Sequence, residues 1–93
     1  MIKIIKANIS YLDQIYKIET DLFNSDAFSL QSLKSELENT NRLYLAALTK
    51  LGEVAAYVGA SLAKPDCDIM KVAVSKNYQR QGIALKMLKK FLV

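Results

Sequence analysis

The sequence predicts an α+β domain, a mainly antiparallel sheet with helices on both faces, in the order β-α-α-β-β-β-α. Three observations carry that prediction. Apolar residues at three- and four-residue spacing mark two helices near the start. Two β-rich runs joined by a short link containing glycine mark a hairpin in the middle. A Val72-Ala73-Val74 strand end then passes through a polar turn into an amphipathic pattern.

Taken in order, Ile2, Ile4 and Ala7 alternate imperfectly with Lys3 and Lys6, which predicts a short strand over residues 2–6. Asn8 offers an N-cap. Ile9, Leu12, Ile15, Tyr16, Ile18, Leu22 and Phe23 then predict an amphipathic helix over 9–22, ended by the turn cluster Asn24-Ser25-Asp26. Ser29 caps a second helix over 30–38, with Leu30, Leu33 and Leu37 as its buried stripe. Leu43 to Leu48 and Val54 to Ala60 flank Lys50-Leu51-Gly52-Glu53 as the two arms of the hairpin. Gly59, inside the second arm, signals a bend, a bulge or a close backbone approach. Lys64-Pro65-Asp66 makes another turn, and Cys67 to Val74 the next strand. Tyr16, Tyr44 and Tyr57 fall at core-like spacings.

Composition narrows the function classes. The 93 residues make one small domain, 52% hydrophobic and 24% charged, an ordinary globular balance. The apolar runs are too short to span a bilayer, and MIKIIKANIS lacks a signal peptide's apolar block. A single cysteine, Cys67, points to a reducing, cytoplasmic setting. With no histidine, a zinc or imidazole-based site is not expected. The net charge of +4 suits an anionic ligand. The cations are dispersed and no basic run is interleaved with aromatics, which argues against nucleic acid.

The chemistry concentrates where the last strand meets the last helix. The residues are Gln79-Arg80-Gln81-Gly82-Ile83-Ala84-Leu85, following Val72-Ala73-Val74. A helix start carries backbone N–H groups without intrahelical partners and a partial positive charge, so it suits phosphate oxygens. Gly82 lets an anion approach the main chain closely, and Ala84 keeps the next turn small. Arg80 adds a permanent cation with a planar fork of donors.

Gln79 to Ala84 resembles the Q/R-x-x-G-x-G/A signature of the GNAT superfamily of acyl-CoA-dependent N-acyltransferases. Val72-Ala73-Val74 resembles that family's fourth strand and Leu85 to Leu88 its following helix. The resemblance implies a coenzyme A site in which the signature's amides hold the pyrophosphate and the strand's main chain pairs with the pantetheine arm. Val72, Ala73, Val74, Gln79, Arg80, Gln81, Gly82, Ile83, Ala84 and Leu85 would line it. It also implies acetyl-CoA as co-substrate, no metal, and an acceptor amine on a peptide N-terminus or a small molecule. A main-chain amide at or near Val74 would polarise the thioester carbonyl.

Asp68 lies six residues before Val74, where several members of the family carry a glutamate acting as general base. Period-two alternation puts it on the face of Met70, Val72 and Val74. Its competing role is a solubilising charge at a strand start. Ile5 to Asp13 and Asp68 to Val74 are similar to the ribosomal-protein-alanine N-acetyltransferases within the family. Lys71 departs from that pattern, standing where a small polar residue is expected near the peptide amine. Phe23 to Phe28 resembles the family's substrate-side loop.

The 93 residues match the first two-thirds of the family's fold, a partial domain without the later strand-helix-strand-strand portion, which holds the subfamily's catalytic acid and base. The fourth strand is then expected to keep an open edge, and a homo-oligomer is expected to cover it. The alternative to an N-acetyltransferase is a module that binds coenzyme A, or a partner chain, without turnover.

Overall fold

The computed structural model describes residues 2–62 and 68–91. The expected turn at Lys64-Pro65-Asp66 and the first residue of the expected last strand, Cys67, lie outside that range. Strand β1 spans Lys3–Lys6. Asn8 then caps a short 3-10 turn over Ile9–Tyr11, its side chain accepting the Ser10 N–H at 2.9 Å. Helix α1 follows over Leu12–Phe23, so the expected helix 9–22 is a 3-10 turn running into an α-helix. The Asn24-Ser25-Asp26 cluster forms a further 3-10 turn. Ser29 caps helix α2 over Leu30–Glu38, accepting the Ser32 N–H at 3.1 Å.

Strands β2 (Arg42–Leu48) and β3 (Val54–Ser61) form the hairpin, and β4 covers Asp68–Val74. The hairpin closes with Thr49 N–H bonded to the Glu53 carbonyl at 2.8 Å, and Gly52 supplies a left-handed φ of 84°. Helix α3 spans Ile83–Leu88 and tightens into a 3-10 turn over Lys89–Phe91. The four strands lie in the order β1-β2-β3-β4, every pair antiparallel.

The sheet separates two cores. On one face Ile15 and Ile18 of α1 and Leu33 of α2 pack against Tyr44, Ala46, Tyr57 and Ala73. On the other, Ile83 and Met87 of α3 pack against Ala47, Ala56 and Val58, with Val72 and Val74 alongside. Both faces of β3 are therefore covered, which is why Val54 to Ala60 is a continuous buried run instead of an alternating one. Burying each large apolar side chain stabilises the fold by roughly 1.5–3 kcal/mol.

Two departures from simple periodicity matter. Leu30 opens α2 and is 43% exposed, outside the core that Leu33 and Leu37 join. The pairing of β3 with β4 also slips: Gly59 faces Lys71, yet Ala60 faces Ile69, leaving Met70 as an extra residue in β4. Gly59 combines two of its expected roles. It sits at this bulge, and a Cβ on it would lie 2.6 Å from Cε2 of the Tyr44 ring.

Candidate functional site

The segment from Val74 to Ile83 is shaped by two residues in the left-handed region. Arg80 has φ 65° and Gly82 φ 76°. Glycine takes that conformation without steric cost, whereas a residue with a Cβ, such as arginine, rarely adopts it. Before them, Ser75 N–H bonds to the Ala55 carbonyl at 2.9 Å and Tyr78 N–H to the Ser75 carbonyl at 2.8 Å. The Gln79 side-chain amide donates to the Val74 carbonyl at 3.0 Å. These bonds anchor the turn to the end of β4. The first bond of α3 runs from Lys86 N–H to the Gly82 carbonyl at 3.1 Å. The amides of Ile83, Ala84 and Leu85 thus lie before the start of the helical ladder.

Strand, turn and helix start share one groove of about 600 Å³. Val72, Ala73 and Val74 form one wall, with Gln79, Arg80, Gly82, Ile83, Ala84 and Leu85 on the other side. Leu22, Phe23 and Tyr78 complete it. The structure brings together every residue of the sequence-based groove set except Gln81. That side chain instead borders a separate depression with Ile2, Lys50 and Leu51.

Asp68 is placed differently from the alternation argument. The extra residue at Met70 inverts parity, so Asp68, paired with Ser61, shares a face with Lys71 and Ala73. That is the face carrying α1 and α2, not the face of Val72 and Val74. Asp68 is exposed at the start of the strand.

The same face holds a charged cluster built on Glu19 of α1. Glu19 is 0% exposed. It accepts the Tyr57 hydroxyl on Oε1. Its Oε2 accepts the Phe28 N–H at 2.8 Å and the Lys71 Nζ at 2.6 Å. Burial pushes this carboxyl up, but the bonds from Lys71, Tyr57 and Phe28, with the charge of Lys71, outweigh it and hold the group below its ordinary value. Burial, then the adjacent Glu19, pushes the Tyr57 phenol well above its usual range. The Lys71 ammonium also lies 4.5 Å from the Phe23 ring centre and 4.1 Å from that of Phe28. A second, smaller group follows the same logic: Tyr44 donates to Glu36 at 2.7 Å, and Arg42 Nε reaches the same oxygen at 3.3 Å. Tyr44 and Tyr57 are thus core residues with carboxylate partners. Their core placement was legible; the partners were not. Glu19 was signalled by its position, four residues after Ile15 and three before Leu22, on the helix's apolar stripe.

A family model for the acetyltransferase (GNAT) family matches residues 11–92. No curated protein matches the chain. Solved structures share its fold. Arabidopsis thaliana NAA60 in complex with a bisubstrate analogue is 18% identical, with a TM-score of 0.81; the match covers 99% of this chain and 65% of that one. The ribosomal-protein-alanine N-acetyltransferase of Escherichia coli is 22% identical, with a TM-score of 0.84, over 97% of this chain and 56% of that one. An aminoglycoside 6'-N-acetyltransferase from Acinetobacter baumannii is 20% identical, with a TM-score of 0.79, over 97% and 68%. The chain therefore spans just under two-thirds of the Arabidopsis protein and little more than half of the Escherichia coli one. Among the described residues no helix is long and apolar enough to cross a membrane.

Proposed function

The chain belongs to the acetyltransferase (GNAT) family, and from that premise we propose that it binds acetyl-CoA along the groove between β4 and α3 and transfers the acetyl group to a primary amine. The carrying observation is the groove itself, in which a strand, a left-handed turn and a helix start meet in one cleft. The diphosphate sits at the amides of Ile83, Ala84 and Leu85, with Arg80 as counter-charge. Charge-assisted hydrogen bonds of roughly 1.5–3 kcal/mol each are enough for micromolar affinity after binding costs. The pantetheine arm runs along β4, which among the described residues has a strand neighbour on its β3 side alone. A Val74 amide, or one beside it, polarises the thioester carbonyl.

The acceptor amine approaches from the α1–α2 face, bordered by Phe23 and Phe28. Asp68, exposed on that face, takes the proton directly or through a water. Glu19 is ill suited to that task, because three donors already engage its carboxylate. The acceptor is a peptide N-terminus or a small-molecule amine, as the names of the structural neighbours suggest for those proteins. Another structure of the Arabidopsis protein is a complex with acetyl-CoA, which supports the choice of co-substrate. In solution a second copy of the chain covers the free edge of β4.

Two substitutions test the reading. Gly82→Glu places an anion at the diphosphate position and forces a side chain onto a φ of 76°. Calorimetry with acetyl-CoA is expected to show binding lost while circular dichroism shows the fold kept; retained binding removes the site. Asp68→Asn is expected to lower turnover, assayed by thiol release with a panel of amines, at least tenfold with acetyl-CoA affinity unchanged, within the usual range for a general base. Equal turnover in the variant takes Asp68 out of its role.

A further inference from the structure

Lys71 is the basic residue of β4, between the extra residue Met70 and the groove residue Val72. Its side chain is only 18% exposed, and its ammonium lies against Glu19, Phe23 and Phe28. Phe23 is shared: its ring borders the ammonium at 4.5 Å, and the residue also lines the groove. A primary amine of the chain itself therefore stands one residue away from the groove. The groove lining itself contains no lysine.

We propose that Lys71 is a self-acetylation site, receiving the acetyl group from acetyl-CoA held in the β4–α3 groove. The inference rests on that groove being the coenzyme site. The Lys71 nitrogen, as the neutral amine, attacks the thioester carbonyl; the C–N bond forms and the C–S bond breaks. Of the two protons lost from the ammonium, one goes to the leaving thiolate and one to solvent at the open edge of β4. The ion pair between Lys71 and Glu19 must open before the nitrogen can attack, which slows the step. Proximity offsets this, because an amine tethered one residue from the groove meets a bound thioester at an effective concentration that free lysines cannot match. Acetylation would also remove the cation opposite Glu19, leaving a fully buried carboxylate with only Tyr57 and Phe28 as donors. The α1–α2 connection, tied to that carboxylate through Phe28, would loosen as a result.

Lys17 is the matched comparison. It too is paired with a carboxylate, Asp21 at 3.2 Å, but its side chain is 77% exposed and borders a different depression, with Gln14 and Tyr78. The protein is incubated with acetyl-CoA, and peptide mass mapping follows each lysine over time. Lys71 is expected to be acetylated about tenfold or more faster than Lys17, the advantage proximity gives. Excess unacetylated coenzyme A, which occupies the groove without an acyl group, should bring Lys71 down to the rate of Lys17. Lys71→Arg should bind acetyl-CoA by calorimetry and gain no acetyl group on that peptide. Equal rates at Lys71 and Lys17 despite measured coenzyme binding overturn the self-acetylation and leave the coenzyme site standing. Absence of binding removes both.

Discussion

At the scale of single residues, Glu19 decides more than any other side chain. Its carboxylate joins α1 to β3 through Tyr57, to β4 through Lys71 and to the α1–α2 connection through Phe28. Because the folded-state carboxyl lies below its ordinary value of 4.5, the stabilisation it supplies is fully present above that value. As pH falls from about 4.5 through the folded value, protonation discards it. Melting temperature measured against pH is therefore expected to drop on the acid side. Glu19→Gln should melt lower than the wild type at pH 7 and show a flatter acid limb. An unchanged acid limb in the variant would assign the acid sensitivity to other carboxylates. Helical periodicity named only the apolar residues of α1 and passed over Glu19, although it falls on their stripe. Its partners were beyond the sequence, since they come from residues 9, 38 and 52 positions away that only the folded sheet brings together.

Among the elements, β4 and the turn after it show where local pattern holds and where it fails. The four strands and three α-helices followed from periodicity and turn chemistry, β3 as a continuous apolar run because both its faces are covered. The face of Asp68 did not, because a single extra residue inverts alternation and no residue type announces it. The turn into α3 was legible as a glycine-containing helix start, yet the left-handed backbone of Arg80 was not. That strain has a testable consequence. A left-handed non-glycine residue costs about 1–2 kcal/mol, and the extra chain freedom of glycine takes back about 0.5–1 kcal/mol. Arg80→Gly is accordingly expected to stabilise the fold by roughly 0.5–1 kcal/mol in urea unfolding. It should also weaken acetyl-CoA binding through loss of the cation. Stabilisation without weaker binding would remove Arg80 from the diphosphate site.

For the whole molecule, the two edges of the sheet are unequal. The β1 edge begins and ends on the exposed lysines Lys3 and Lys6, which discourage another strand from pairing there. The β4 edge opens on the exposed Asp68 and then presents Ile69 and Met70, each 40% exposed, while its own lysine turns inward to Glu19. An apolar edge with free main-chain groups is a template for strand addition, so association is expected through β4. Light scattering at tens of micromolar should give the mass of a dimer, and Met70→Lys should return it to a monomer by restoring an edge charge. The groove proposed for coenzyme A is lined by Val72, Ala73 and Val74 of the same strand, so a pantetheine arm and a second copy would compete for one row of main-chain groups. Saturating acetyl-CoA is therefore expected to lower the dimer fraction. A monomer mass without ligand would remove the pairing. A dimer indifferent to acetyl-CoA would place the contact away from β4, and the groove would then be open in both assembly states.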